Sequence, residues 1–160
     1  MLPEEVTRLI GKRGSVMILE VEKGAIKKFA DAVDDQNPLY WDEEHARNSR
    51  HGAIIAPPGF FGWPTRWPKG STFPLHTGIT AEARDAASEA GYSRGLDGGM
   101  EYEFFTPVRA GDTLAASSMI KDIVEREGKT GKMVFLFTET TYTNQNGDLV
   151  ARATHTSINR

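Results

Sequence analysis

The last third of the chain constrains the fold more than any other stretch. From Met100 onward four β-rich runs follow one another: Met100 to Thr106, Thr113 to Glu125, Lys132 to Thr143 and Leu149 to Ile158. In the first, Met100, Tyr102 and Phe104 alternate with Glu101, Glu103 and Phe105, the period-2 pattern of a strand with two distinct faces. Short turn sequences separate the runs. They are Pro107 to Asp112, Gly128 to Gly131, and Asn144-Gln145-Asn146-Gly147-Asp148, whose Asn-Gly accepts positive φ at little cost. The order reads as an antiparallel β-meander.

The first half reads differently. Residues 3–10 suit a short helix, with Pro3 in its first turn, Glu4 and Glu5 at its positive end and Gly11 after it. Ser15 to Val21 is a β-rich run and a plausible first strand. From Lys23 to Val33 the apolar residues Ile26, Phe29, Ala30 and Val33 have the spacing of a helix with one buried face. Asp42 is placed to cap a second short helix that fades by Asn48. Ala53 to Phe61 is an apolar run interrupted by Pro57-Pro58, and two prolines there predict a buried helix beginning near Pro57 or Pro58. Residues 62–97 read as a long loop or insertion, broken by Trp63-Pro64, Trp67-Pro68 and Pro74, with one alanine-faced helix from Thr80 to Ala90 that Gly91 ends. A strand, then helices, then at least four antiparallel strands predict an α+β fold in which one sheet curls around one apolar helix.

Composition narrows the function classes. At 160 residues the chain is expected to form a single domain spanning 1–160. It has no cysteine, which excludes thiolate chemistry and disulfides and fits a reducing, cytoplasmic setting. A net charge of -3 without a basic run argues against nucleic acid as a partner. No apolar run is long enough to span a membrane, and Met1 to Glu5 has no signal-peptide character, so no membrane association is expected. The four histidines, His45, His51, His76 and His155, are scattered without metal-ligand spacing.

The chemistry-bearing stretch is Asp34-Asp35-Gln36-Asn37-Pro38-Leu39-Tyr40. Asn-Pro ends what precedes it and fixes a turn, with a carboxylate before the turn and a phenol after it. Asp35 to Tyr40 resembles the hydratase motif of the MaoC-like dehydratases, which runs Asp-x-Asn-Pro-x-His. Three further stretches extend the resemblance in the same order: Val21 to Ala30, Ala56-Pro57-Pro58-Gly59-Phe60-Phe61, and Phe104-x-x-Pro107-Val108-x-x-Gly111-Asp112-Thr113-Leu114. The resemblance covers most of the chain except residues 62–97. It implies the hot-dog fold, an antiparallel sheet wrapped around a central helix. It implies a homodimer or heterodimer that interconverts 3-hydroxyacyl and trans-2-enoyl thioesters of coenzyme A or acyl carrier protein, with neither cofactor nor metal.

In that family the motif's Asp and His do the proton work, and a backbone N–H at the central helix N-terminus holds the thioester oxygen. Carried over, the resemblance places Asp35 and Tyr40 at the catalytic positions, Asn37 in the motif and Gly59 at the oxygen-binding position. From position and aromatic content, Phe60, Phe61, Trp63 and Trp67 are expected to wall a bulky acyl or ring-bearing substrate, with Pro58 beside them. The departure is Tyr40 in place of histidine, because a phenol near pKa ~10 donates a proton at neutral pH but hardly accepts one. Heteromeric members pair a subunit lacking the working pair with a smaller one that carries it, and this sequence resembles the former. Two alternatives stay open: a self-sufficient homodimeric hydratase using Asp35 with Tyr40 or His51, and a module that binds acyl thioesters without turnover. The plainer readings are a turn-forming Asp35, a packed Tyr40 and a loop His51 facing solvent. A thioesterase reading is disfavoured because Ala56 to Trp67 contains no Asp or Glu.

Overall fold

The computed structural model describes residues 2–66, 78–128 and 131–160. Eleven elements follow in order: α1 (Glu4–Thr7), β1 (Met17–Glu20), α2 (Lys23–Ala32), α3 (Pro38–Trp41), α4 (Glu43–Asn48), β2 (Trp63–Pro64), α5 (Ile79–Glu89), β3 (Gly95–Phe104), β4 (Thr113–Gly128), β5 (Gly131–Thr143) and β6 (Leu149–Asn159). The strands form one antiparallel sheet in the order β2-β1-β4-β5-β6-β3. The meander is as the sequence predicts, with β3 beginning earlier, at Gly95 inside the stretch read as loop. The β5–β6 turn closes on Asn144, whose Oδ1 accepts the N–H groups of Asn146 at 2.9 Å and Asp148 at 3.0 Å, while Gly147 takes φ 84°.

One face of the curled sheet carries nearly all the buried side chains. Alternation places Leu114, Ala116 and Ile120 of β4 and Val134, Leu136 and Thr138 of β5 on that face. Two layers cover it side by side. At one end α5, with Ala87 also buried, lays Ile79 and Ala83 against Ile120, Ile123, Val134 and Leu136, joined by Val6 and Leu9 from the N-terminal segment. Alanine on the buried stripe lets the helix lie close to the sheet. At the other end α2, α3 and the segment from Ile54 to Phe61 cover Leu114, Ala116, Val150 and Ala151. Ile26 and Leu114 are fully buried there, and each such side chain stabilises the fold by about 1.5–3 kcal/mol.

Two expectations are corrected. The helix predicted to begin near Pro57 or Pro58 is absent: the chain turns instead. Ala56 N–H donates to Val108 O at 2.8 Å, Phe60 N–H donates back to Pro57 O at 3.1 Å, and Gly59 takes φ 88°. Pro at the second position and a left-handed Gly at the third make a type II β-turn. The helix inside the sheet is α5, in the stretch read as insertion. Val33, expected on the buried face of α2, is 56% exposed because the helix stops at Ala32.

Candidate active site

The loop from α2 to α3 is held by its own backbone. After the C-cap Val33, Asp34 takes φ 54° and is the one non-glycine residue at positive φ among the described residues. Asp34 N–H donates to Asp31 O at 3.1 Å and Asp35 N–H to Ala30 O at 2.9 Å, the bond pair of a Schellman motif. The same pair ends α5, where the left-handed position is Gly91. Asp35 Oδ1 then accepts Asn37 N–H at 3.1 Å, and Asn37 Oδ1 accepts Leu39 N–H at 3.1 Å, capping α3 with Pro38 in its first turn. Trp41 donates its indole N–H to Asp35 O at 2.9 Å and ties the far side of α3 to the same turn.

These bonds bring Asp35, Asn37 and Tyr40 together, as the motif predicts. Asp35 is half-buried, whereas Tyr40 is 6% exposed and packs in the core under the sheet. Burial, and then the nearby negative charge of Asp35, raise the Tyr40 phenol above its ordinary 10.0; the Asn37 side-chain amide, bonded to it, offsets this in part. At neutral pH the Tyr40 phenol is therefore a proton donor and hardly an acceptor.

The remaining predicted residues spread along the neighbouring segment. Phe60 is buried and meets Phe29 of α2 at 5.1 Å between ring centroids and Trp63 at 6.1 Å. Trp63 sits on β2 and is 51% exposed. Pro58 is exposed and Gly59 half-buried in the turn, with nothing within 4 Å of where a Cβ would stand on Gly59. Because no helix begins here, Gly59 has no helix dipole behind it. Trp67 and His76 lie outside the described residues. His51 is half-buried; Arg50 Nε donates to its Nε2 at 3.3 Å, and Arg109 Nε donates to its backbone oxygen at 3.1 Å.

Sequence reasoning missed Trp41 and an aromatic stack beside the site. Phe61 stacks on Tyr142 at 4.0 Å and faces Tyr102 and Phe104 of β3 at 5.8 and 6.3 Å. Burial, with a smaller contribution from Tyr102, pushes the Tyr142 phenol up to about 12. The alternation of Tyr102 and Phe104 and the run carrying Tyr142 were legible, but not the register that brings Tyr142 of β5 beside them across β6.

A family model described as the FAS1-like dehydratase domain region matches residues 8–153. This chain belongs to that family. Among curated proteins, a UPF0336 protein of Streptomyces griseus is 35% identical over 128 residues, covering 72% of this chain and 78% of that protein. A probable enoyl-CoA hydratase alpha subunit of Thermomonospora curvata is 29% identical over 129 residues, and the match spans 40% of that protein. In three dimensions this FAS1-like chain resembles the ChsH1-ChsH2 complex of Mycobacterium tuberculosis, with TM-score 0.79 at 20% identity over 96% of this chain and 85% of that one. It also resembles the Mycobacterium tuberculosis HadBC complex, a (3R)-hydroxyacyl-ACP dehydratase, with TM-score 0.60 at 24% identity over 91% and 96%. The fold is the hot-dog fold of the MaoC-like dehydratases.

Proposed function

We propose that this chain is the assisting, substrate-binding subunit of a (3R)-hydroxyacyl-thioester dehydratase or enoyl-thioester hydratase. Residues 1–160 act as one hot-dog unit, in the cytoplasm, alongside a MaoC-type partner that carries the complete Asp/His pair. The observation that carries this reading is Tyr40: it stands where the motif calls for histidine, lies in the core, and is held further toward its protonated form by burial and by Asp35. Hydration of an enoyl thioester needs water deprotonated for attack at Cβ and a proton delivered at Cα. Activating the water calls for a proton acceptor where the motif has histidine, and the Tyr40 phenol hardly accepts a proton near neutral pH.

What this chain supplies instead is surface for the acyl thioester. Gly59 in its open turn lets a thioester approach the backbone closely. Phe60 and Trp63 wall the acyl group, and Pro58 fixes the turn. The thioester is carried by coenzyme A or acyl carrier protein.

The test is an assay of crotonyl and longer enoyl thioesters with the chain alone and after co-expression with a short MaoC-type hydratase. Turnover only in the co-expressed sample is the expected result. Ordinary enzyme rates from the chain alone, lost in Asp35→Asn, would overturn it in favour of a self-sufficient homodimer. Tight thioester binding with no turnover in either sample would overturn it in favour of a binding module.

A further inference from the structure

The loop that follows α4 gathers two guanidinium groups on one histidine. Arg50 Nε donates to His51 Nε2 at 3.3 Å, and Arg109, far along the chain, donates its Nε to His51 O at 3.1 Å. Arg50 is exposed and Arg109 half-buried. Neither has an ion-pair partner among the described residues. Asp112 spends its carboxylate on other donors: Oδ2 accepts the Arg109 backbone N–H at 2.7 Å and Oδ1 accepts Gln145 Nε2 at 3.0 Å. With each Nε committed to His51, the Nη nitrogens of both groups face outward with donors to spare. A planar fork of N–H donors matches the oxygens of a phosphate. Two cations held on one residue repel each other, and an anion shared between them turns that repulsion into attraction.

The backbone ties this pair to the motif loop. Ile55 forms an antiparallel bridge with Arg109 and donates its N–H to Leu39 O at 3.2 Å, next to Tyr40. Arg109 thus stands two strand spacings, roughly 10 Å, from the motif loop. Ile54, Ala56 and Val108 are buried, so by alternation Ile55 and Arg109 face away from the core. The same strip of chain runs on into the Gly59 turn through Ala56 N–H and Val108 O. A thioester at Gly59 and phosphates at Arg50 and Arg109 therefore lie along one strip, with a pantetheine arm as the connector. The flanks separate the two carriers. On one side along the chain Asp42 caps α4, which opens on Glu43 and Glu44; on the other, Glu20, Glu22 and Asp112 line a hollow where β1 meets the Gly111 turn. An acidic carrier protein docks over a broad face and meets these carboxylates. Coenzyme A needs only the cationic spot, to which it brings a diphosphate and a 3′-phosphate.

We propose that Arg50 and Arg109, clamped on His51, bind the phosphates of coenzyme A, so that the thioester this chain takes is a coenzyme A thioester. This rests on the acyl-thioester reading above and narrows it to one carrier. Isothermal titration calorimetry is run on the chain alone and on the co-expressed complex, with coenzyme A, 3′-dephospho-coenzyme A and pantetheine as probes. The variants are Arg50→Gln, Arg109→Gln and, as a control, Arg126→Gln, whose guanidinium lies over Phe135 on the opposite face of the sheet. Thermal melts check that each is folded; Arg50→Gln carries the test if Arg109→Gln is not. Coenzyme A is expected to bind more tightly than dephospho-coenzyme A, and pantetheine least. Each arginine variant is expected to lose about tenfold or more in affinity for coenzyme A, less at high salt, with Arg126→Gln unchanged. Coenzyme A binding no tighter than pantetheine in both preparations would overturn the proposal. So would a folded Arg50→Gln variant with wild-type affinity, or an equal loss in Arg126→Gln. Turnover by the chain alone overturns the assisting role and leaves this site standing. Co-expressed turnover of carrier-protein thioesters without affinity for coenzyme A does the reverse.

Discussion

Tyr40→His in the isolated chain is the most direct perturbation of the candidate site. Tyr40 has an ordinary value of 10.0 that its surroundings raise further, so less than about one part in a thousand is phenolate at pH 7. An imidazole at its ordinary value near 6.5 is about three-quarters neutral at the same pH and able to accept a proton. The proton-accepting fraction at this position thus rises by nearly ~10³, within the range of about 10²–10⁴ that a positioned acid–base group contributes. The position is 6% exposed and the phenol is bonded to Asn37, so a smaller ring in the same space loses contacts and part of that bond. This costs on the order of 1–2 kcal/mol, a fall in Tm of roughly 2–8 °C, which a folded chain tolerates. The assay follows loss of enoyl absorbance with crotonyl thioester for wild type, Tyr40→His, Tyr40→Phe and Tyr40→His/Asp35→Asn. Turnover at least ~100-fold above wild type is expected in Tyr40→His alone, and loss of the carboxylate removes it. A Tyr40→His variant that melts cooperatively within the stated range, binds the thioester and still turns over no faster than Tyr40→Phe would refute the claim that the phenol is what silences this site.

The remaining predictions concern stability. Ile120, fully buried under α5, costs about 2–5 kcal/mol on truncation to alanine, whereas Ile18→Ala on the 42%-exposed β1 position costs under about 1 kcal/mol; urea midpoints separate the two. Gly62→Ala places a Cβ on the Glu20 carbonyl at φ 86° and loosens β2 from β1, losing at least about 1–2 kcal/mol. Gly24→Ala in α2, where nothing lies within 4 Å of the new carbon, gains about 0.5–1 kcal/mol by the same thermal melt. Glu125 is lowered from 4.5 to about 2, first by the Tyr92 hydroxyl, which donates to Oε2 at 2.6 Å, and then by Lys132. A depressed carboxylate stabilises the fold fully above about pH 4.5 and loses that contribution as pH falls toward 2. Tyr92→Phe should therefore flatten the dependence of Tm on pH across that window, and an unchanged slope would count against the pairing.

Local rules carried the sheet and missed the choice of helix. Asn144 to Asp148 and the alternation from Met100 are period and turn signals that tertiary context had no reason to override, and both appear where expected. Pro57-Pro58-Gly59 satisfies two rules at once: proline opening a helix, and Pro-Gly at the centre of a type II turn. What decides between them is nonlocal, the bonding of Ala56 N–H to Val108 O and of Ala110 N–H to Ile54 O, which holds the approach extended. The Pro-Gly pair was the available signal. Conversely Thr80 to Ala90 read as a helix with only an alanine face, inside a long loop or insertion. Ile79, one residue before that window, anchors the buried stripe, and the sheet contributes the bulk that alanine lacks.

The motif loop shows why its residue pattern does not by itself report catalysis. Asp34 occupies a left-handed cap where α5 uses glycine, Asp35 Oδ1 is occupied by Asn37 N–H, and Asn37 Oδ1 by Leu39 N–H. Each of these shapes the turn whatever the residue at position 40 can do. Asp-x-Asn-Pro is thus sufficient to build the backbone that aims two side chains at one point. The proton chemistry asked of the motif depends on the side chains of Asp35 and the last position together, and at the last position a buried phenol stands in place of the motif's imidazole. The loop's architecture and its reactivity are separable, so a chain with this loop can complete a dimer's fold and acyl surface while leaving the proton transfers to its partner. A comparison of two single variants makes that separation measurable. Asn37→Ala should destabilise the isolated chain by about 0.5–2 kcal/mol through loss of the α3 cap. Tyr40→Phe should leave the co-expressed complex's turnover unchanged within about twofold, since on this account it removes no proton acceptor that works near neutral pH.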